Sequence, residues 1–164
     1  MRCFLTKMID EDKVLWLDID TIVLDDLSEL WNMDMDGYAI AGWREEKKNW
    51  THVRHLMHKS EYVNSGVLLM NLKFIRDKQF DDKFIKFLNG EAWRNPDQDA
   101  VNVICDGYIK YLDVIYNYGP ITPQMARRCV KNIKIYHMTW YKLWDDKTKG
   151  PEGLYDSYYR EILY

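Results

Sequence analysis

Residues 13–25 read Lys13-Val14-Leu15-Trp16-Leu17-Asp18-Ile19-Asp20-Thr21-Ile22-Val23-Leu24-Asp25. An apolar, β-prone run ends in two carboxylates separated by one residue. Side chains on a strand alternate faces, so a strand over Val14–Ile19 predicts Asp18 and Asp20 on one side and Ile19 turned back toward the core. Two acids that close together repel each other, and the repulsion needs compensation. A divalent cation supplies it, and an all-oxygen pair suits Mn²⁺ or Mg²⁺. In open α/β sheets ligands gather beyond the carboxyl ends of strands, where these acids fall.

Working outward, the neighbouring segments read as alternating strands and helices. Met8–Asp12 reads as the end of a short helix, and Asp25–Trp31 as the start of another. Tyr38–Ala41 reads as a strand closed by Gly42. Residues 43–60 are polar, without a clean period, and read as a long functional loop. Asn64-Ser65-Gly66 reads as a small polar triplet opening a buried strand over Val67–Met70, with an ordinary turn as the competing reading. Phe80–Leu88 has apolar residues at helical spacing. Asp97–Ile104 reads as a helix with Pro96 just before it and Asp97 placed to cap it. Tyr111–Val114 and Ile133–Tyr136 read as strands, and Leu154–Leu163 as a final helix after Gly150-Pro151. No repeat or linker interrupts the chain, which reads as a single α/β unit over residues 1–164.

Composition excludes several classes. A chain of 164 residues with 47% hydrophobic and 30% charged residues can bury a real core. Its net charge of −3 disfavours nucleic acid as a partner. No stretch approaches the length of a transmembrane segment. Cys3, Cys105 and Cys129 are odd in number and far apart, so neither a disulfide framework nor a zinc knuckle is indicated, and a cytoplasmic setting fits. Aromatic residues, 15% of the chain, suit a cleft for a polyol as well as a core.

Further groups join the acid pair. His137 follows a strand, as the acids do, so the three side chains are expected to share one metal site at a sheet edge. Lys142 lies in the loop beyond, placed to neutralise phosphate charge. Asn64-Ser65-Gly66 can set an amide against a ligand hydroxyl, and Asp97-Gln98-Asp99 occupies the first turn of a helix. His52, His55 and His58 are spaced to line one helical face.

The segments Lys13–Val23, Tyr62–Leu72, Pro96–Asn102 and Ile135–Trp144 together resemble glycosyltransferase family 8 in order and spacing. That family includes lipopolysaccharide galactosyl- and glucosyltransferases, glycogenin and galactinol synthase. The resemblance implies an α/β fold of GT-A type, a Rossmann-like mixed sheet with flanking helices. It implies retaining, Mn²⁺-dependent transfer of a hexose from UDP-glucose or UDP-galactose to a saccharide acceptor. It makes Asp18, Asp20 and His137 metal ligands, Asp97 and Gln98 the pair at the reacting face of the sugar, and Asn64, Lys142 and Arg2 donor contacts. For lipopolysaccharide synthesis the corresponding setting is the cytoplasm, at the inner face of the membrane.

Two departures are visible. The closing motif of the family resembles His-x-x-Gly-x-x-Lys-Pro-Trp, whereas here the interval from His137 to Lys142 is one residue shorter, Trp140 stands where a glycine would, and Leu143 replaces proline. The family also has a nucleotide-binding strand and loop well ahead of its Asp-x-Asp, and this chain has only a short helix there. The expectation is an N-terminally truncated GT-A portion with an exposed sheet edge, open to homodimer formation. The alternatives are a catalytically inactive remnant with a structural or binding role, or a haloacid-dehalogenase-type phosphatase. The phosphatase would share Asp18-Ile19-Asp20-Thr21 but lacks the later acidic pair.

Overall fold

The computed structural model describes residues 2–90, 93–119 and 131–139. The predicted helix over Leu154–Leu163 and the Lys142 position lie outside them. By their contacts the residues group into two compact units. The first holds the described residues within 1–17 and 28–113, and the second those within 18–27 and from 114 onward.

The first unit is built on a mixed four-stranded sheet. Its strands are β1 (Lys13–Leu17), β3 (Ile40–Arg44), β4 (Val63–Asn71) and β5 (Ile109–Leu112), in the order β1-β4-β3-β5. The long β4 runs antiparallel to both β1 and β3, and β3 runs parallel to β5. Val67, Leu68, Leu69 and Met70 of β4 are all buried, as expected for a strand covered on both faces. Helices α1 (Leu5–Met8), α2 (Ser28–Trp31), α3 (Leu72–Asp77), α4 (Phe80–Leu88) and α5 (Pro96–Ile104) accompany the sheet. Phe80 and Phe84 of α4 and Ala100 and Val101 of α5 enter one core with Ile40, Leu68, Met70 and Tyr62. The Asn71 side chain accepts the Phe74 N–H and caps α3 where it leaves β4.

The second unit contains an antiparallel pair, β2 (Thr21–Val23) and β6 (Ile135–His137), with Thr21 opposite His137. Tyr118, Tyr136 and Met138 form its small core, with Ile22, Val114 and Ile133 against it.

Several expectations shift. β1 stops at Leu17, and Ile19 is 93% exposed rather than turned inward. The chain makes a tight turn there. The N–H and the hydroxyl of Thr21 both donate to the Asp18 carbonyl, at 3.1 and 2.8 Å. Gly42 does not close β3 but lies inside it. A Cβ at this position would come within 2.9 Å of the Leu68 side chain and 3.0 Å of Val63, so close strand packing explains the glycine. Asn64-Ser65-Gly66 does not precede the buried strand; it lies within β4. Asp97 is not the cap of α5, because Asn95 precedes the helix and Pro96 fills its first position. The strand expected over Tyr111–Val114 is Ile109–Leu112, followed by a 3-10 turn over Val114–Tyr116. The segment of residues 43–60 has 3-10 turns at Lys47–Asn49 and Arg54–Leu56, so the three histidines do not share a helix.

Candidate functional site

In the second unit, Asp18, Asp20 and His137 come together. One ligand atom from each lies within 4.8 Å of the others. The turn that displaces Ile19 brings both acids to one side, a result the strand reading reached by a different route. Asp20 and His137 are buried, at 7% and 4% exposure, and Asp18 is half-buried. His137 ends β6, and the Met138 N–H donates to the Asp20 carbonyl at 2.9 Å, which locks the acid turn to the strand end. His137 Nε2 lies 3.4 Å from Asp20 Oδ1.

Asn117 decides what that nitrogen does. Its Oδ1 lies 2.8 Å from His137 Nδ1 and accepts a hydrogen bond from it. With the proton held on Nδ1, the neutral ring turns the Nε2 lone pair toward the carboxylate. A lone pair facing a carboxylate oxygen is repulsive unless a positive charge lies between, either a proton on Nε2 or a bound cation. Two carboxylates and an imidazole with its second nitrogen engaged are a donor set that fits Mn²⁺ or Mg²⁺. Sequence reading missed Asn117, which stands 20 residues from its partner with no motif around it.

In the first unit, a second polar group forms where α5 meets the start of β4. The Ser65 N–H donates to Gln98 Oε1 at 2.8 Å, and the Ser65 hydroxyl donates to the same oxygen at 3.0 Å. Arg2 is buried, donates to the Ser65 carbonyl, pairs with Asp97 at 3.0 Å and lies over the Trp16 ring at 5.1 Å. The structure thus joins Arg2, Asp97, Gln98 and Ser65. Asn64 is oriented separately. Its Nδ2 donates to Glu45 Oε1 at 2.9 Å and its Oδ1 accepts the Gly66 N–H at 2.9 Å. Glu45 holds Asn49 with its other oxygen, also at 2.9 Å. Asp97 keeps 42% of its side chain exposed.

The third acid of the Asp97-Gln98-Asp99 triplet behaves differently. Asp99 is fully buried. Its Oδ1 accepts from Tyr62 Oη at 2.5 Å, and its Oδ2 accepts the Asn95 N–H at 3.0 Å. His52 Nε2 stands 3.1 Å from both carboxylate oxygens. Burial first, and the Asp99 hydrogen bond second, push the Tyr62 phenol far above its ordinary range, so it remains a proton donor.

With this geometry in view, the family model described as Glycosyl transferase family 8 matches residues 1–148. The chain belongs to glycosyltransferase family 8. Among curated relatives, glycosyltransferase GlyA of Streptococcus pneumoniae is 29% identical over 130 residues, covering 77% of this chain and 18% of its own length. Lipopolysaccharide 1,2-glucosyltransferase of Escherichia coli is 28% identical over 112 residues, covering 65% of this chain and 33% of its own length. The chain spans less than half the length of the curated relatives it matches.

Among solved structures, galactosyltransferase LgtC in complex with donor and acceptor sugar analogs superposes with a TM-score of 0.72 at 24% identity. The match covers 98% of this chain and 64% of that one. Glycosyltransferase GlyE of Streptococcus pneumoniae gives a TM-score of 0.71 at 23% identity, over 99% of this chain and 43% of that one. The fold is therefore of GT-A type, a mixed sheet with flanking helices. Family membership removes the phosphatase reading, which had rested on one acid motif. Among the described residues no helix is long and apolar enough to cross a membrane.

Proposed function

We propose that this chain carries the metal-binding and sugar-binding part of a retaining hexosyltransferase. Its donor is UDP-glucose or UDP-galactose, its acceptor a carbohydrate, and its metal Mn²⁺. The observation that carries this reading is the convergence of Asp18, Asp20 and His137, with the imidazole oriented by Asn117. A divalent cation held by these residues would neutralise charge on a leaving diphosphate. Lys142, by its place in sequence, adds a second positive charge.

The polar group at the start of β4 takes the sugar. The Asn64 amide, fixed by Glu45 and Gly66, presents a set orientation to a hydroxyl. Gln98 and the half-exposed Asp97 are the side chains assigned to the reacting face of the hexose. Arg2 holds Asp97 in place and keeps its charge balanced. The setting proposed for it is the cytoplasm, at the inner face of the membrane.

Calorimetric titration of UDP with and without Mn²⁺ tests the reading, followed by anomeric analysis of product formed from each UDP-hexose. Metal-dependent UDP binding and a product of retained configuration are expected. UDP binding that ignores Mn²⁺, or no binding at all, would favour the alternative of an inactive remnant.

A further inference from the structure

The side-chain amide of Gln98 has two ends of opposite chemistry, and Ser65 tells them apart. The Ser65 N–H donates to Gln98 Oε1 at 2.8 Å, and the Ser65 hydroxyl donates to the same atom at 3.0 Å. A backbone N–H can only donate, so the atom facing it is the amide oxygen and not the nitrogen. An amide oxygen has two lone pairs, and here one serine engages both. The other end of the amide is Nε2, which carries two hydrogens and accepts nothing.

The contact is anchored from both sides. Ser65 is 3% exposed and lies inside β4, and Arg2 donates to its carbonyl. Gln98 is held at its backbone as well. Its N–H donates to the Asp97 carboxylate at 3.1 Å, and its carbonyl accepts from the Asn102 side chain at 2.9 Å. A flexible side chain tied at both ends has given up most of the rotamers that would let its amide turn over. Gln98 is nevertheless only half-buried, so part of it stays within reach of a ligand. Asn64, one residue before Ser65, repeats the pattern. Its oxygen accepts the Gly66 N–H and its nitrogen donates to Glu45. Both amides thus turn their oxygens to the backbone of β4.

We propose that Ser65 is a positioning residue that commits Gln98 to act toward the hexose as a hydrogen-bond donor, through Nε2 to a sugar oxygen, and not as an acceptor or nucleophile through Oε1. The role of Gln98 toward the sugar rests on the function proposed above; the clamp by Ser65 does not. An oxygen that already holds two hydrogen bonds has little left to offer an anomeric carbon. A fixed N–H at the reacting face instead stabilises negative charge as it builds on a neighbouring oxygen.

The test uses the full chain with Ser65→Ala and Gln98→Glu. The carbonyl-carbon and amide resonances of the Gln98 side chain are followed by NMR, assigned by their loss in Gln98→Glu. Turnover is read as UDP release from UDP-glucose and UDP-galactose with Mn²⁺, water or added galactose serving as acceptor. Ser65→Ala removes the hydroxyl and keeps the backbone N–H. It is expected to shift the Gln98 carbonyl-carbon resonance and to lower kcat roughly two- to tenfold with donor KM little changed, the scale of one hydrogen bond. Gln98→Glu keeps an oxygen for Ser65 but puts an acceptor where the donor was. Its turnover at neutral pH is expected to fall roughly a hundredfold. Its ratio to wild type should then rise as the pH is lowered, because a protonated carboxyl can donate again. Turnover of Gln98→Glu equal to or above wild type, or a ratio that does not rise, overturns the donor role. An unchanged carbonyl-carbon resonance in Ser65→Ala overturns the clamp. A wild-type chain that binds no UDP-hexose sinks the transferase reading and the sugar role of Gln98 with it, and the carbonyl resonance still decides whether Ser65 holds Gln98.

Discussion

His137 Nδ1 lies 2.8 Å from Asn117 Oδ1, and that one contact aims the other ring nitrogen at Asp20. The three residues sit in one unit, on a strand end, a turn and the position just after the 3-10 segment Val114–Tyr116. The Asn117 N–H donates to the Val114 carbonyl at 3.0 Å, so the backbone that carries this amide is itself fixed.

Removal of the orienting amide should therefore weaken metal binding without removing a ligand. Asn117→Ala is expected to lower Mn²⁺ affinity roughly ten- to a hundredfold, the usual cost of losing a partner that orients a ligating histidine. Titration of free Mn²⁺ by electron paramagnetic resonance would measure it. Unchanged affinity would mean that the ring is held by packing alone.

Replacing a proposed ligand is a sharper change. Asp20→Asn keeps the size of the side chain and removes its charge. Asp20 is almost fully buried beside a second carboxylate, so the substitution relieves repulsion in the metal-free chain. The variant is expected to fold at least as stably as the wild type and to lose Mn²⁺-dependent UDP binding. Paired calorimetry and thermal unfolding would show both effects, and Mn²⁺-dependent binding that survives would remove Asp20 from the metal site.

The grouping of Asp18, Asp20 and His137 was legible in the sequence because Asp18 and His137 each end an apolar, strand-like run and Asp20 lies two residues beyond Asp18. The helix Phe80–Leu88 was legible for a similar reason, since its aromatic residues recur at helical spacing and bury one face. Gly42 misled because glycine commonly stops a strand, whereas here it lets β3 approach Leu68 and Val63. Asn64-Ser65-Gly66 misled in the same way, as turn-forming types placed inside β4. The contacts between distant side chains were not legible. His52 and Asp99 are 47 residues apart, and nothing local to either announces the other.

The buried thiols carry a pH signature. Burial first, and the nearby Asp97 charge second, raise the Cys3 thiol from 9.0 to about 11. Burial raises Cys105 as well. The folded state thus keeps protons that the unfolded state releases, so stability is full below pH about 9 and falls as pH rises through the folded values. For Cys3 the loss reaches about 3 kcal/mol. Urea unfolding between pH 8 and 11 should show this decline, and Cys3→Ala should flatten part of it. In a Cys129→Ser background, thiol reagents at pH 8 should label the native chain only as fast as it unfolds.

The strongest stability effect is expected at Asn102, a fully buried side chain that imitates a neighbouring strand. Its Oδ1 accepts the Val63 N–H at 2.7 Å, and its Nδ2 donates to the Val63 carbonyl at 2.8 Å and the Gln98 carbonyl at 2.9 Å. One amide thereby satisfies both backbone groups of Val63 and stitches α5 to the first residue of β4. Asn102→Ala leaves a buried N–H and a buried C=O without partners, at a cost of about 1–3 kcal/mol each. The total, roughly 2–6 kcal/mol, is a large share of the stability of a domain this size. Asn102→Asp keeps the acceptor for the Val63 N–H but sets a carboxylate oxygen against two carbonyls, so it should not restore the loss. Asn102→Gln retains both functions and misplaces them by one methylene in a packed site. Denaturant unfolding of the three variants is expected to rank all of them below the wild type. An Asn102→Ala chain as stable as the wild type would show that Val63 finds other partners and that α5 is held to β4 by its apolar face.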